Sequence, residues 1–432
     1  LRPESFLIYV SVNVNTVAVW EDIMSVQCVK MAGMVAALLG SAVAANAGGF
    51  ERSSQDFDIL FEKGTAVEAG ATVVMPQRKL KNIRANPGVA TPPVVPYGPD
   101  RGKPWSTSVD EAKTYWVPKV SAKFDLTDDL ACAAQYREPW GIETDVGLNT
   151  LRSFTAIEQK ISSRDFGLNC SYRFAVGEKS YFRILGGVSY QELKGYQTRL
   201  IPPTTAFRGN FRVATLDVED GSVGWRLGAA YEIPEYAMRA SLVYQSEVKY
   251  NLDGTIDNLM LNPLTGQGVP LNVTNDIAAP QSVEFKFQTG IAPDWLAFGS
   301  VKWTDWKSIQ QATFVSNGNR GLPDGTKITS LDLYYQDGWT VSGGVGHKFN
   351  EQWSGAATVT WDRGTSTGWT SQTDVWLFGL GANYKPNDVV DVRLAGAIGW
   401  LGSGELRDSI STGDFGNDLK RVAFIRPHTQ QP

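Results

Sequence analysis

Histidine is nearly absent from this chain, with two residues in 432, and cysteine is scarce, with three. His347 falls inside an alternating apolar segment and His428 in the last residues, so neither can be set beside a nucleophilic serine. With so few histidines and cysteines, no metal-ligand spacing forms. The net charge is −5, which removes the basic footprint that nucleic-acid binding requires. Beyond the N-terminal region no apolar run reaches the roughly 18 residues of a membrane-spanning helix. Gly343-Gly344-Val345-Gly346 lies within a strand pattern and not between a strand and a helix, so it is no phosphate loop. Catalysis, cofactor chemistry and helical membrane spans are thereby set aside.

Strands are what the chain has in quantity. In 376–384, Trp376, Phe378, Leu380, Ala382 and Tyr384 share one parity, and Leu377, Gly379, Gly381 and Asn383 share the other. The pattern returns in 353–361 and 236–244, each again with an aromatic at both ends. Eight steps of ~3.3 Å span about 26 Å, the height of the apolar band of a transmembrane β-barrel. Tyr236, Tyr244, Trp353, Trp361, Trp376 and Tyr384 are therefore expected at its two rims, the aromatic girdles. A soluble sandwich also alternates, but its inner face would be bulky. Here the second face is Gly, Ser, Thr, Ala, Arg and Lys, which suits a lumen.

The same reading predicts thirteen strands near 70–80, 114–125, 129–138, 164–175, 180–192, 223–233, 236–250, 281–292, 295–308, 337–350, 352–362, 374–385 and 388–401. Tight turns at Thr127-Asp128, 176–179, Pro234-Glu235, Pro293-Asp294, Asn350-Glu351 and Pro386-Asn387 alternate with long loops, the layout of an outer-membrane barrel with its short turns in the periplasm. Lys30, the apolar stretch 31–45 and Ala45-Asn46-Ala47 form a secretory signal with Gly48 as the mature start. The expected organisation is an upstream, non-native extension at 1–23, the signal peptide at 24–47, a short plug or hatch at 48–69, the barrel at 70–401, and an aberrant or truncated tail at 402–432. Since such barrels have an even strand number, the closing strand is expected to be missing or replaced, with 422–425 its only remnant. Cys28 precedes the cleavage site; Cys132 and Cys170 lie on apolar parities, where lipid contact or packing is expected and a disulfide is not.

Several segments resemble the long-chain fatty acid transporter family of the bacterial outer membrane, the FadL group that includes aromatic-hydrocarbon channels. They are Ile233-Pro234-Glu235-Tyr236-Ala237-Met238, Gly290-Ile291-Ala292-Pro293-Asp294-Trp295, Trp303-Thr304-Asp305-Trp306, Tyr335-Gln336-Asp337-Gly338-Trp339 and Trp361-Asp362-Arg363-Gly364-Thr365-Ser366, within a likeness running from Gly49 to Gly402. The resemblance implies an all-β, antiparallel transmembrane barrel of about fourteen strands. It also implies an N-terminal hatch in the lumen and passive uptake of long-chain fatty acids or hydrocarbons, released sideways through a gap in the wall. Segment 48–69 lacks the family's Asn-Pro-Ala hatch motif, so the family's hatch movement is not carried over. Phe50, Phe57, Leu60 and Phe61 are its candidate packing residues.

Parity assigns Arg226, Arg239, Glu247, Glu284, Lys286, Lys302, Lys348, Asp391 and Arg393 to the lumen, where charge avoids the cost of about 2–4 kcal/mol on the lipid face. Arg226, Arg239, Lys302 or Arg393 could meet a fatty acid carboxylate, or pair with Glu247, Glu284 and Asp391 inside the barrel. Phe298, beside Ser300 and Lys302, suits an amphipathic ligand. The leading expectation is a monomeric channel for hydrophobic compounds, in contact with outer-membrane lipids and needing neither metal nor cofactor. A general diffusion porin and a non-transporting adhesin or structural barrel are the alternatives.

Overall fold

The computed structural model describes the backbone at 5–18 and residues 49–53, 57–86, 99, 103–202, 210–262, 264–408 and 411–415. Cys28, His428, the signal segment and 422–425 lie outside them. All thirteen expected strands are present, as β2 (Thr65–Ala85), β3 (Tyr115–Asp125), β4 (Leu130–Arg137), β5 (Glu158–Ala175), β6 (Tyr181–Ile201), β7 (Arg212–Ile233), β8 (Met238–Gln245), β9 (Ser282–Ala292), β10 (Trp295–Thr304), β11 (Gly338–Lys348), β12 (Trp353–Arg363), β13 (Val375–Tyr384) and β14 (Val390–Leu401). Each pairs antiparallel with the next.

Alternation decides which side chains meet lipid. In β6, Phe182, Ile184, Val188 and Tyr190 are exposed while Arg183, Leu185, Ser189 and Gln191 between them are buried. In β13, Trp376, Phe378 and Leu380 point out, opposite buried Val375, Leu377 and Asn383. The girdle pairs stand in register, Trp353 opposite Tyr384 and Trp361 opposite Trp376, with ring centroids 4.6 and 6.4 Å apart. The tight turns work through side-chain oxygens. Asn387 accepts from the N–H groups of Val389 and Val390, and Asn350 from those of Gln352 and Trp353.

Four expectations change. Tyr236 is exposed in a 3-10 turn (Pro234–Tyr236) that Ala237 leaves with φ 48°, so the strand starts at Met238. The 236–250 run is divided: after Gln245 the chain leaves the barrel ladder, and Val248–Leu261 pairs with the outer part of β7 and with Gly268–Ala279. Glu247 therefore sits exposed at the break, paired with Lys249 at 2.9 Å, and not in the lumen. Finally, Cys132 and Cys170 form a disulfide. They are directly opposed residues of β4 and β5, so the shared parity that was read as lipid contact also brings the two sulfurs together in an oxidising compartment.

Residues 5–18, set aside as an upstream extension, form β1 (Ser5–Ala18), which pairs with β14 on one side and β2 on the other. Its register sets Val12 opposite Leu394 and Ala71. At the other end, Gly404–Arg407 and Ser411–Phe415 form a hairpin on the outer part of β2. Processing after Ala47 would remove β1, so N-terminal sequencing of the membrane-extracted protein discriminates. The expected result is Gly48-Gly49-Phe50; a start within 1–23 would make β1 a permanent part of the wall.

β2, β5, β6 and β7 continue well past the lipid-exposed band, and Val248–Leu261, Gly268–Ala279, Gln311–Ser316 and Lys327–Asp332 extend this outer sheet. Its interior is apolar and aromatic, with Phe50, Trp140, Tyr250, Trp306 and Tyr335 in one buried cluster.

Candidate functional site

The segment expected as a hatch packs against the inner face of the barrel up to Gly64, and 65–69 already belong to β2. Phe57, Ile59 and Leu60 are buried against Ala131, Ala133, Leu185, Ala230 and Val243, and Phe61 lies under the guanidinium groups of Arg239 and Arg183, 4.1 and 4.9 Å from its ring centroid. Small residues on the lumen parity of β4 and β7 leave room for this plug. Phe50 packs edge-on against Trp140 and Trp306. Gly49, at φ +57°, sits so close to the Trp306 ring that a Cβ would lie 2.6 Å from it, which only glycine avoids.

Three acidic residues tie the hatch to the wall. Asp58 pairs with Arg239 at 2.9 Å and Lys286 at 3.1 Å, Glu51 with Lys302, and Glu62 with Arg393 at 3.6 Å. The four cations named as carboxylate candidates, Arg226, Arg239, Lys302 and Arg393, are buried, yet three of them are engaged by the hatch, with Arg393 also bridging to Asp391 at 3.3 Å. The fourth, Arg226, belongs to a buried network: Asp165 Oδ2 accepts from Arg226 at 2.5 Å, Arg137 at 2.8 Å and Gln191 at 2.9 Å. Gln191 in turn accepts from Trp140 Nε1 and the Tyr250 hydroxyl, joining this polar layer to the aromatic cluster. Phe298 packs on the wall, where a Cβ on Gly344 would lie 2.6 Å from its ring.

Above the hatch lies a cavity of about 320 Å³, lined by none of the five residues proposed from sequence. Phe154, Ile161, Leu193, Phe314, Tyr335 and Trp369 supply much of its apolar surface, and Phe50 is part of its floor. Among its cations, Arg152 pairs with Asp408, Lys194 with Glu219, and Lys160 with Glu143 at 3.4 Å. Arg199 differs. It lies in the part of β6 beyond the lipid-exposed band, donates to the Thr329 hydroxyl at 3.0 Å, and pairs with no carboxylate among the described residues. Burial alone lowers its pKa below the ordinary arginine value, and no acidic neighbour offsets the shift. Arg199 shares the lumen parity of Arg183 and Gln191, so continuing the alternation past 192 would have found it. A guanidinium in an apolar chamber can take a carboxylate bidentately while the chamber wall takes an alkyl or aryl tail.

The wall beside this cavity is interrupted. β3 and β4 pair from Asp125 opposite Ala131 up to Lys119 opposite Arg137. There Glu138-Pro139-Trp140 leaves the ladder: three residues face two on β5 before pairing resumes at Gly141 opposite Ser162. Proline has no N–H to donate to a neighbouring strand, which accounts for the break. Past Arg137, the described residues next bridge toward this strand only at Ala112 and Thr144. The displaced segment pairs inward with the hatch, with Arg52 N donating to Pro139 O and Gly141 N to Phe50 O, both at 2.7 Å.

Residues 22–413 match the family model described as Outer membrane protein transport protein (OMPP1/FadL/TodX). The chain is 22% identical over 263 residues to the long-chain fatty acid transport protein of Salmonella typhi, covering 54% of this chain and 60% of that protein. It is 20% identical over 273 residues to the protein of the same name from Escherichia coli K12, covering 54% of this chain and 61% of that protein. The matches thus span about three fifths of these relatives' length. Among solved structures, a Pseudomonas aeruginosa FadL homologue superposes with a TM-score of 0.62 at 14% identity, over 96% of this chain and 88% of that one. The Ralstonia pickettii toluene transporter TbuX does so with a TM-score of 0.50 at 12% identity, over 88% and 93%. At such identities the likeness is one of fold.

Proposed function

Since the chain belongs to the outer-membrane protein transport family (OMPP1/FadL/TodX), we propose that it is an outer-membrane channel for hydrophobic compounds bearing an acidic head, with long-chain fatty acids as the fitting class. The observation that carries this reading is Arg199, a cation without a carboxylate partner among the described residues, in a cavity otherwise lined largely by aliphatic and aromatic side chains. A hydrocarbon would leave that half-buried charge uncompensated, whereas a carboxylate compensates it through a charge-assisted hydrogen bond. The relatives named for long-chain fatty acids support the acid, and the structural relative named for toluene makes the hydrocarbon the reading to test against it.

A diffusion porin fits poorly, because the hatch packs Leu60 and Phe57 into the lumen where an aqueous path would run. The test is uptake of labelled oleate and of toluene by a strain lacking its own transporter and expressing this chain. Wild type is expected to take up oleate, and Arg199→Gln to raise the half-saturating oleate concentration about tenfold, the equivalent of roughly 1.4 kcal/mol from one charge-assisted bond. Unchanged oleate uptake by Arg199→Gln would remove this residue from the site.

A further inference from the structure

Arg52 stands where the wall is interrupted. Its guanidinium lies 4.1 Å from the Tyr115 ring centroid, on the β3 side of the break, and its side chain rests over Gly141 on the other side. It takes up the place of a Gly141 side chain: a Cβ there would fall 2.3 to 2.6 Å from Arg52 Nε, Cζ and Cδ. Nε and Nη2 are out of contact with solvent and make no hydrogen bond with the described residues. The two carboxylates flanking the break attract Arg52 across space without hydrogen-bonding to it, their close contacts being Glu143 with Lys160 and Glu138 with the Tyr136 hydroxyl. Phe50, two residues before Arg52, and Ile142, next to Gly141, both line the cavity. Arg52 thus stands beside the cavity lining at the break.

We propose that Arg52 is a second anion-binding residue, which receives the carboxylate of an amphipathic acid as it passes from the cavity into the interrupted β3–β4 seam. This rests on the acid reading given above. The two hatch-to-Pro139–Gly141 backbone bonds hold the displaced segment away from β3, and beside it two nitrogens of a charged side chain find no acceptor among the described residues. A carboxylate arriving there supplies the missing acceptors, so an acid lowers the cost of leaving through the seam and an uncharged hydrocarbon does not. Selection between the two would then be made at the exit as well as in the cavity.

The test compares initial oleate and toluene uptake in cells expressing wild type, Arg52→Gln, Arg52→Lys, Gly141→Ala and Arg199→Gln, with folded protein quantified by heat-modifiable mobility. The expected result is at least a tenfold loss of oleate uptake in Arg52→Gln, toluene uptake within twofold of wild type, and partial recovery of oleate uptake in Arg52→Lys. Gly141→Ala keeps every charge but displaces the guanidinium, and should show the same selective loss. If Arg199→Gln impairs oleate uptake while Arg52→Gln and Gly141→Ala match wild type, the exit role falls and the acid reading stands. A parallel loss of oleate and toluene in Arg52→Gln would make Arg52 a structural hatch residue only. A wild type that takes up toluene and no oleate would overturn both readings.

Discussion

Replacing Asp165 with alanine is expected to prevent most of the protein from reaching its detergent-resistant folded form. The carboxylate lies between Arg137 and Arg226, and none of the three side chains is more than 5% exposed. Removing it leaves two guanidinium groups side by side, away from water and with no anion between them. Breaking a buried pair by deleting one partner costs about 3–5 kcal/mol, and here the remaining charges also repel. Asp165→Asn retains an acceptor for Arg137, Arg226 and Gln191 and should fold in greater yield than the alanine variant. Arg226→Met in the Asp165→Ala background removes one of the stranded charges and should recover part of the lost yield. The measurement is the fraction of protein showing heat-modifiable mobility after membrane extraction. Wild-type yield in Asp165→Ala would mean that the network adds nothing to assembly.

The second large effect concerns the hatch. Glu51 and Asp58 face Lys302 and the Arg239–Lys286 pair, so the double charge reversal Glu51→Lys, Asp58→Lys turns three attractions into three like-charge contacts within the barrel. If this weakens the docked hatch by roughly 3 kcal/mol, the undocked fraction rises about a hundredfold. In planar bilayers the wild type should show little steady conductance and the double variant a persistent ion current. Adding Lys302→Glu, Arg239→Glu and Lys286→Glu to that variant restores opposite charges across the same contacts and should reduce the current again. A double variant as tight as wild type would show that apolar packing of Phe57, Ile59 and Leu60 holds the hatch without help from charge.

Much of the wall was legible in the sequence because lipid imposes its demand residue by residue. A strand with apolar solvent on one side and a polar interior on the other must alternate, so Trp376, Phe378 and Leu380 announce β13 without reference to any other part of the chain. The turns are equally local: Asn387 caps two N–H groups within three residues of itself. Parity likewise put Arg226, Arg239, Lys302 and Arg393 on the inner face, where they are found.

What those inner residues touch was beyond such reading, because most of their partners are remote in the chain. Asp58 and Arg239 are separated by 181 positions, and Arg199 and Thr329 by 130. Local periodicity states which side of the wall a residue faces and nothing about what stands opposite it across the lumen. For the same reason Arg199 passed for a loop residue, since the lipid signal ends where β6 leaves the band although the strand and its inward parity continue. The disulfide needed the register of β4 against β5, and the seam needed the knowledge that 139–141 pairs with the hatch and not with β3. The sequence by itself determined a membrane-crossing antiparallel barrel with polar residues turned inward, since that follows from solvent and chain geometry at each position. Only the tertiary structure decided which inward cations are paired with the hatch and which are not, because that depends on neighbours brought together across the lumen.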